Sequence, residues 1–395
     1  MSDWFKLTDE LGPEKIVYLH DPETEMKAVI VVDTMFAGGA GGGTRMLPDI
    51  TTAELAGLAR AMTYKFAMID LPIGGAKSGI WGLPDMSPDR REAMIRSFGR
   101  LAKPMIESGV AVASDMGTAM EDVKLMYESA GVEHPNTGLS SQIKDGEPLE
   151  NHATGYGVFV AAKAGCQAAG LELKGARVAI EGFGKAAGGV ARYMIEAGAN
   201  VVAMSNINGT RYSENGLNIT SLLAERRQKG DQALTEYESA ESLSCQKLFT
   251  LPVDIVVPGT RPFMIHGKNA SAIQAKVIAS IANNPVTYEA ERQLFERGVR
   301  VIPDFLCNVG GVVMALVDML GGSEDDLFKA LNHMITELGL DIITRADSAG
   351  IPPRFLAEKE IKQKLIDQRT GKTEALSFDA LLKTIQVRLN IGQKT

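Results

Sequence analysis

The sequence predicts an α/β protein of two domains, the second built on a doubly wound parallel sheet, with helices closing the chain. Three observations predict it. Apolar strands alternate with amphipathic helices from residue 28 to about 303. The stretch RVAIEGFGKAAGGVARYMIEAGANVVAMS (177–205) reads as strand, glycine turn, helix and strand. The 395 residues, 45% hydrophobic and 23% charged, supply enough apolar material for two or three cores.

The elements follow in order. AVIVVD (28–33) is a strand, and the glycine cluster AGGAGGGTR (37–45) comes after it. Thr51 and Glu54 form a capping box that opens a helix with apolar positions at Leu55, Leu58, Ala59, Met62 and Phe66. LPIGGAKSGIWG (71–82) reads as a tight glycine turn carrying Lys77. A helix over about 87–107 leads to the strand VAVAS (110–114). The polar, turn-rich NTGLSSQIKDGEPLE (136–150) marks a domain boundary or hinge, and a helix over about 154–170 follows. After the strand–turn–helix–strand unit comes a polar excursion (206–245). The strands VDIVVP (253–258), KVIAS (276–280) and VRVIP (299–303) complete the sheet. From about 326 the chain is helical, with a late loop near 367–373. The domains are thus 1–149 (substrate and catalytic), 150–325 (Rossmann type) and 326–395 (helices packing back on the first domain).

The bulk numbers exclude several classes. Forty-nine acids against 41 bases give a net charge of −8, which argues against nucleic acid as partner. No run of about 18 apolar residues suggests a membrane span, and the N-terminus has no secretory h-region. The three cysteines (166, 245 and 307) lie far apart without a CxxC pair, which fits a reducing cytoplasm. The five histidines lack metal-ligand spacing, so no metal is expected.

Gly182-Phe183-Gly184-Lys185-Ala186-Ala187 fits GxGxxG/A directly after an apolar strand and at the start of a helix. Gly182 permits the turn, Gly184 lets a pyrophosphate approach, and Ala187 allows close helix–strand packing. At the end of the second strand, where an acid commonly binds the adenosine ribose, stands Asn206, with Asn208 and Arg211 close by. NAD and NADP both remain open.

Leu58, Met62 and Lys65 share one helical face, which places Lys65 among apolar neighbours. The alternatives are a snorkelling lysine or one with a task. Lys77, flanked by Gly74, Gly75 and Gly79, is either a solvated turn residue or a base whose pKa a second cation such as Lys65 lowers. Asp115, at the end of an apolar strand, is a proton carrier or a helix cap like Asp122.

Taken together these segments resemble the glutamate/leucine/phenylalanine/valine dehydrogenase family over about residues 28–320. AGGGTRM (40–46), RAMTYKFAMIDLPIGGAK (60–77), SDMGT (114–118), ATGYGV (153–158), GFGKAA (182–187), IANNPVT (281–287) and PDFLCNVGGVV (303–313) carry the resemblance. It implies NAD(P)-dependent oxidative deamination of an L-amino acid to a 2-oxo acid and ammonia, by a homo-oligomer, with the site between two domains that close near residue 150. It further implies that Lys65 grips the α-carboxylate, Lys77 activates water and Asp115 shuttles protons. Thr154 and the Gly182 turn would hold the cofactor, Asn283 would lie along it, and Asn308 would sit near nicotinamide and substrate.

The chain departs from glutamate-specific members in two anchors. Gly41, beside Gly42, stands where they place a lysine for the side-chain carboxylate, and Ala315 stands where they place a serine. A buried γ-carboxylate without partners would be costly. The inferred substrate is therefore nonpolar or aromatic, with small residues leaving room for a bulky group. A glutamate dehydrogenase with a rewired pocket and an inactive dinucleotide-binding homologue are the competing readings. Other departures are Ser280-Ile281-Ala282-Asn283, the rewritten IKDGEPLENH, and GGAK, where Ala76 replaces a glycine.

Overall fold

The computed structural model describes residues 7–36, 39–83, 86–134, 138–369, 378–389 and 391. Residues 37–38 of the glycine cluster, 136–137 of the boundary segment and 370–373 of the late loop lie outside them. By internal contacts the chain divides into two units, 1–136 with 360–385, and 137–359 with 386–395.

The first unit is a five-stranded sheet: β1 (Lys15–Asp21), β2 (Met26–Val32), β3 (Ala40–Leu47), β4 (Gly74–Trp81) and β5 (Val110–Ser114), in the order β1-β2-β4-β3-β5. β3 runs parallel to β4 and β5, while β1–β2 and β2–β4 are antiparallel. One face packs under α2 (Pro88–Glu107) and α3 (Met120–Ala130), burying Ile30, Ile80, Phe98, Val112 and Met126. Each such side chain contributes about 1.5–3 kcal/mol of hydrophobic stabilisation. The other face carries α1 (Thr52–Met68), which seats Leu55 and Ala59 on Val29 and Val31.

Two expectations are corrected here. The glycine cluster enters β3, and LPIGGAK is not a tight turn but leads into β4, a strand between β2 and β3. The glycines serve close approach rather than turning. A Cβ on Gly75 would lie 2.2 Å from the Ala59 carbonyl oxygen, and one on Gly79 would lie 2.6 Å from Leu55. Helix α1 therefore rests directly on the β4 backbone, which a side chain at 75 would forbid.

The second unit begins with a small hairpin, β6 (Ile143–Lys144) and β7 (Glu147–Pro148), inside the segment read as a boundary. The helix expected from about 154 starts earlier, as α4 (Leu149–Ala168). Then come β8 (Arg177–Ile180), α5 (Lys185–Glu196), β9 (Asn200–Asn206), β10 (Gly209–Tyr212), α6 (Ile219–Lys229), α7 (Gln232–Thr235), β11 (Glu241–Leu243), β12 (Ile255–Val257), β13 (Val277–Ile278), α8 (Tyr288–Glu296), β14 (Arg300–Val301), α9 (Asp304–Cys307), α10 (Gly310–Met319) and α11 (Glu324–Ala349). The sheet order is β11-β10-β9-β8-β12-β13-β14, parallel except for the added β10 and β11. The polar excursion thus holds the edge strand β11, its neighbour β10 and two helices. Its alternation was hidden by polar residues that suit an exposed edge.

The C-terminal helices divide. α11 packs on α4, where Gly339 meets Ala164. α12 (Pro353–Arg369) and α13 (Phe378–Leu389) follow. Within the first unit, Lys362 pairs with Glu10, Lys364 with Asp70, and Arg369 with Glu14. No described helix is long and apolar enough to cross a membrane.

Candidate active site

The first unit gathers Lys65, Lys77 and Asp115 on the face that carries α1. Lys77 points from β4 to Asp115 at the end of β5, with Nζ 2.8 Å from Oδ2. The Arg45 Nε donates to the same oxygen at 3.0 Å, and Arg45 also pairs with Glu54 of α1. Gly43 of β3 lies beneath the pair. A Cβ there would sit 2.8 Å from the Asp115 Cβ and 3.2 Å from the Lys77 Nζ, so only glycine leaves the pair in place. Asp115 caps no helix, because Asp122 takes that role by accepting from the Ala119 N–H. The Thr118 hydroxyl holds the Asp115 loop, accepting its N–H at 2.9 Å and donating to the Thr44 carbonyl at 2.7 Å.

Burial alone would raise the Asp115 carboxyl, but the Lys77 and Arg45 cations beside it hold it well below the usual carboxylate range. Lys65 does not snorkel. It is 8% exposed in the last turn of α1. Burial, reinforced by the neighbouring Lys77 charge and opposed by Asp115, pushes its ammonium down to about 7. Among the described residues no carboxylate forms an ion pair with it.

Support comes from a buried network. The Thr63 hydroxyl donates to Asp33 at 2.6 Å, Arg60 bonds both Asp33 oxygens at 2.9 Å, and Arg60 also grips Asp9. The Gly75 N–H donates to the Thr63 hydroxyl. Asp33 thereby ties α1, two residues before Lys65, to the strand bearing Lys77.

In the second unit Gly182 takes φ +106°, and a Cβ on Gly184 would meet nothing within 4 Å. Gly184 is the N-cap of α5 and supplies no side-chain cap, so the first amides of the helix are open to an anion. Lys185 is exposed and Ala186 half-buried beside them. Phe183 is buried under the Arg226 guanidinium. Arg226 donates to the carbonyls of Phe183 and Gly184 and pairs with Glu147 at 2.8 Å. Glu181 accepts the N–H groups of Gly259 and Thr260, fixing the far side of the turn.

Asn206 ends β9 as the sequence indicates. Its amide is spent on the Asp231 carbonyl and the Thr235 hydroxyl, and its oxygen accepts from the Asn208 N–H. Arg211 is turned to the carbonyls of Leu234 and Thr235. Asn308 donates to Asn283 Oδ1 at 3.1 Å, while its own Oδ1 is buried without a partner. Such an orphaned acceptor fits a ligand that brings a donor. Thr154 on α4 sits at the α10 terminus, its hydroxyl 3.6 Å from where a Gly311 Cβ would lie. Ala315 is half-buried on α10.

The pocket positions are tighter than their small size suggests. A Cβ on Gly42 would lie 1.7 Å from the Ala76 carbonyl oxygen, so this glycine serves strand packing. At Gly41 the Phe66 ring fills the nearby space, 3.4 Å from a notional Cβ. Sequence reasoning did not single out Arg45, Gly43, Arg226, Glu147 or Asp33. Of these, Gly43 and Arg45 had a signal, their place in AGGGTRM.

Comparison with known proteins gives the family. A model described as Glutamate/Leucine/Phenylalanine/Valine dehydrogenase matches residues 146–358, and one described as Glu/Leu/Phe/Val dehydrogenase, dimerisation domain, matches residues 13–131. The NAD-specific glutamate dehydrogenase A of Halobacterium salinarum is 32% identical over 286 residues, which are 71% of this chain and 65% of that relative. The chain thus spans just under two thirds of that protein's length. Glutamate dehydrogenase A2 of the same organism is 33% identical over 325 residues, 79% of this chain and 77% of the relative. Among solved structures, the hetero-hexameric glutamate dehydrogenase from Thermus thermophilus in its Leu-bound form superposes with a TM-score of 0.79 at 26% identity, covering 89% of this chain and 88% of that one. L-tryptophan dehydrogenase from Nostoc punctiforme shares the fold, with a TM-score of 0.67 at 23% identity over 93% and 99% of the two chains. With models matching in both units, the chain belongs to the glutamate/leucine/phenylalanine/valine dehydrogenase family.

Proposed function

We propose that the protein is an NAD(P)-dependent dehydrogenase that deaminates a nonpolar or aromatic L-amino acid to its 2-oxo acid and ammonia, reversibly and as a homo-oligomer. The observation that carries the reading is the Lys65, Lys77 and Asp115 constellation. Lys65 has no carboxylate paired to it among the described residues and suits the substrate α-carboxylate. Lys77 activates the water that attacks the imine carbon, and Asp115, bonded to it at 2.8 Å, carries protons to and from the amino group. Arg45 and Thr118 hold Asp115 in place.

The Gly182–Ala186 turn and the α5 amides would bind the dinucleotide pyrophosphate, and Thr154, Asn283 and Asn308 would position the nicotinamide end. When bound, the cofactor accepts or returns the hydride. NAD fits better than NADP, because Arg211 is engaged with the α7 carbonyls and Asn206 with its own loop. The name of the Halobacterium relative at 32% identity points the same way.

The two Halobacterium relatives described above are glutamate dehydrogenases, and this favours a second reading in which glutamate is the substrate. That reading needs a cation for the side-chain carboxylate, which position 41 does not provide. Ammonium-dependent NADH oxidation across apolar and acidic 2-oxo acids tests the two readings against each other.

Replacing Arg226 by methionine removes the brace on the glycine turn and leaves Glu147 buried without its cation, held only by the Asn151 amide. The expected result is roughly tenfold weaker NADH binding, in line with the loss of a charge-assisted hydrogen bond. Fluorescence titration of NADH measures it, with amino-acid KM the smaller change.

A further inference from the structure

On the first unit's sheet, α1 rests mainly on β2 and β4 and only lightly on β3. Successive residues of a strand alternate between faces. On the same face a strip is made of the buried Gly41 and Gly43 from β3, paired with Ala111 and Ala113 from β5. Ala111 and Ala113 are exposed, while Val110 and Val112 point into the core. One end of the strip is the Lys77–Asp115 pair over Gly43. The other end, at Gly41, meets Phe66 of α1. The ring carbons Cζ and Cε2 lie 3.4 and 3.7 Å from where a Gly41 Cβ would be, and the Ala111 Cβ lies 3.8 Å from the same point. Phe66 is 7% exposed, so its ring is held. An alanine methyl at position 41 would just touch that ring, and a longer side chain would press on it.

We propose that Phe66 is the specificity-determining wall of the recess for the substrate side chain, with Gly41 kept small to seat it. The assignment rests on the reading above, that the amino acid's carboxylate and amino group lie at Lys65, Lys77 and Asp115. Its side chain then runs along the strip toward Gly41 and ends against the Phe66 ring. That wall offers no hydrogen-bond donor, so a side-chain carboxylate driven against it would be desolvated without compensation. The wall also limits depth, which sets the size of the apolar side chain accepted.

The experiment compares the full-length protein with Phe66→Leu, Phe66→Ala, Gly41→Ala and the double variant Phe66→Ala/Gly41→Ala. Selectivity is read two ways, as the ratio of kcat/KM and as the ratio of calorimetric Kd, for L-tryptophan against L-valine. Phe66→Ala is expected to move both ratios at least about tenfold toward the larger amino acid, as the deletion of several carbons from a pocket wall should. Phe66→Leu should move them in the same direction by less. Gly41→Ala should shift them toward valine, and that shift should vanish when Phe66 is alanine. Ratios within twofold of the parent in both Phe66 variants overturn the proposal, as does the absence of binding for both amino acids. The two readings fail separately. Turnover of glutamate alone contradicts the substrate class, whereas unmoved selectivity among whichever amino acids are used contradicts the role of Phe66.

Discussion

Replacing Lys77 by alanine is expected to lower kcat by about 10²–10⁴, the usual contribution of a positioned acid–base group. The loss should fall on kcat more than on KM, because Lys77 acts on water and on Asp115 rather than on the substrate carboxylate. The substitution also strips Asp115 of one of its two cations and leaves Arg45. Because burial is overcome by Lys77 and Arg45, the folded carboxyl titrates below its unfolded value. Its stabilising contribution is present above about pH 4 and is lost as the pH falls further. Lys77→Ala should therefore unfold at higher pH on acid titration than the parent. Steady-state kinetics and a circular-dichroism pH titration check the two halves. An unchanged kcat would remove Lys77 from the chemistry.

The second large effect concerns Lys65. Its ammonium is pushed down to about 7 from the ordinary 10.5 by burial and by the Lys77 charge. Between those values the unfolded chain holds more protons than the folded one, so stability rises with pH across that window and is reduced below it. Lys65→Met removes a buried cation from an apolar helix face. The expected result is a Tm at pH 7 several degrees above the parent and a flatter pH dependence between about 7 and 10.5. Amino-acid KM should rise by at least about 100-fold, since a charge-assisted contact to the carboxylate is gone. A bound carboxylate would in turn restore the charge on Lys65. Substrate binding at pH 8 should thus take up protons in the parent and not in the variant, which calorimetry in buffers of different ionisation enthalpy reads directly. A lower Tm together with an unchanged KM would contradict the assignment.

What the sequence made legible follows from where local pattern and tertiary demand agree. The strand–turn–helix around Gly182 could be read because φ +106° at Gly182 and the open space at Gly184 are local needs that local residues state. Lys65 could be read because a helical period placed a charge on an apolar face. The β4 segment could not. Its glycines look like turn formers, but they are there because the backbone of α1 arrives from elsewhere and touches Gly75. Gly43, Arg45 and Arg226 act through partners 34 to 79 residues away in sequence, such as Lys77, Asp115 and Glu147. No spacing rule connects residues so far apart. Phe66 was visible as a core position on the helix, yet its meeting with Gly41 depends on the fold. The same holds for Asn206. Its identity was plain, but its bonds to Asp231 and Thr235 come from a helix inside a segment that read only as polar.

The most direct measurement is reductive amination. The purified protein, with ammonium and NADH, is given phenylpyruvate, 4-methyl-2-oxopentanoate and 2-oxoglutarate in parallel, with Lys77→Ala protein as the blank. The account predicts ammonium-dependent NADH oxidation with an apolar or aromatic oxo acid, little with 2-oxoglutarate, and none in the blank. Turnover of 2-oxoglutarate alone, or turnover of nothing by a protein that still binds NADH, would contradict it.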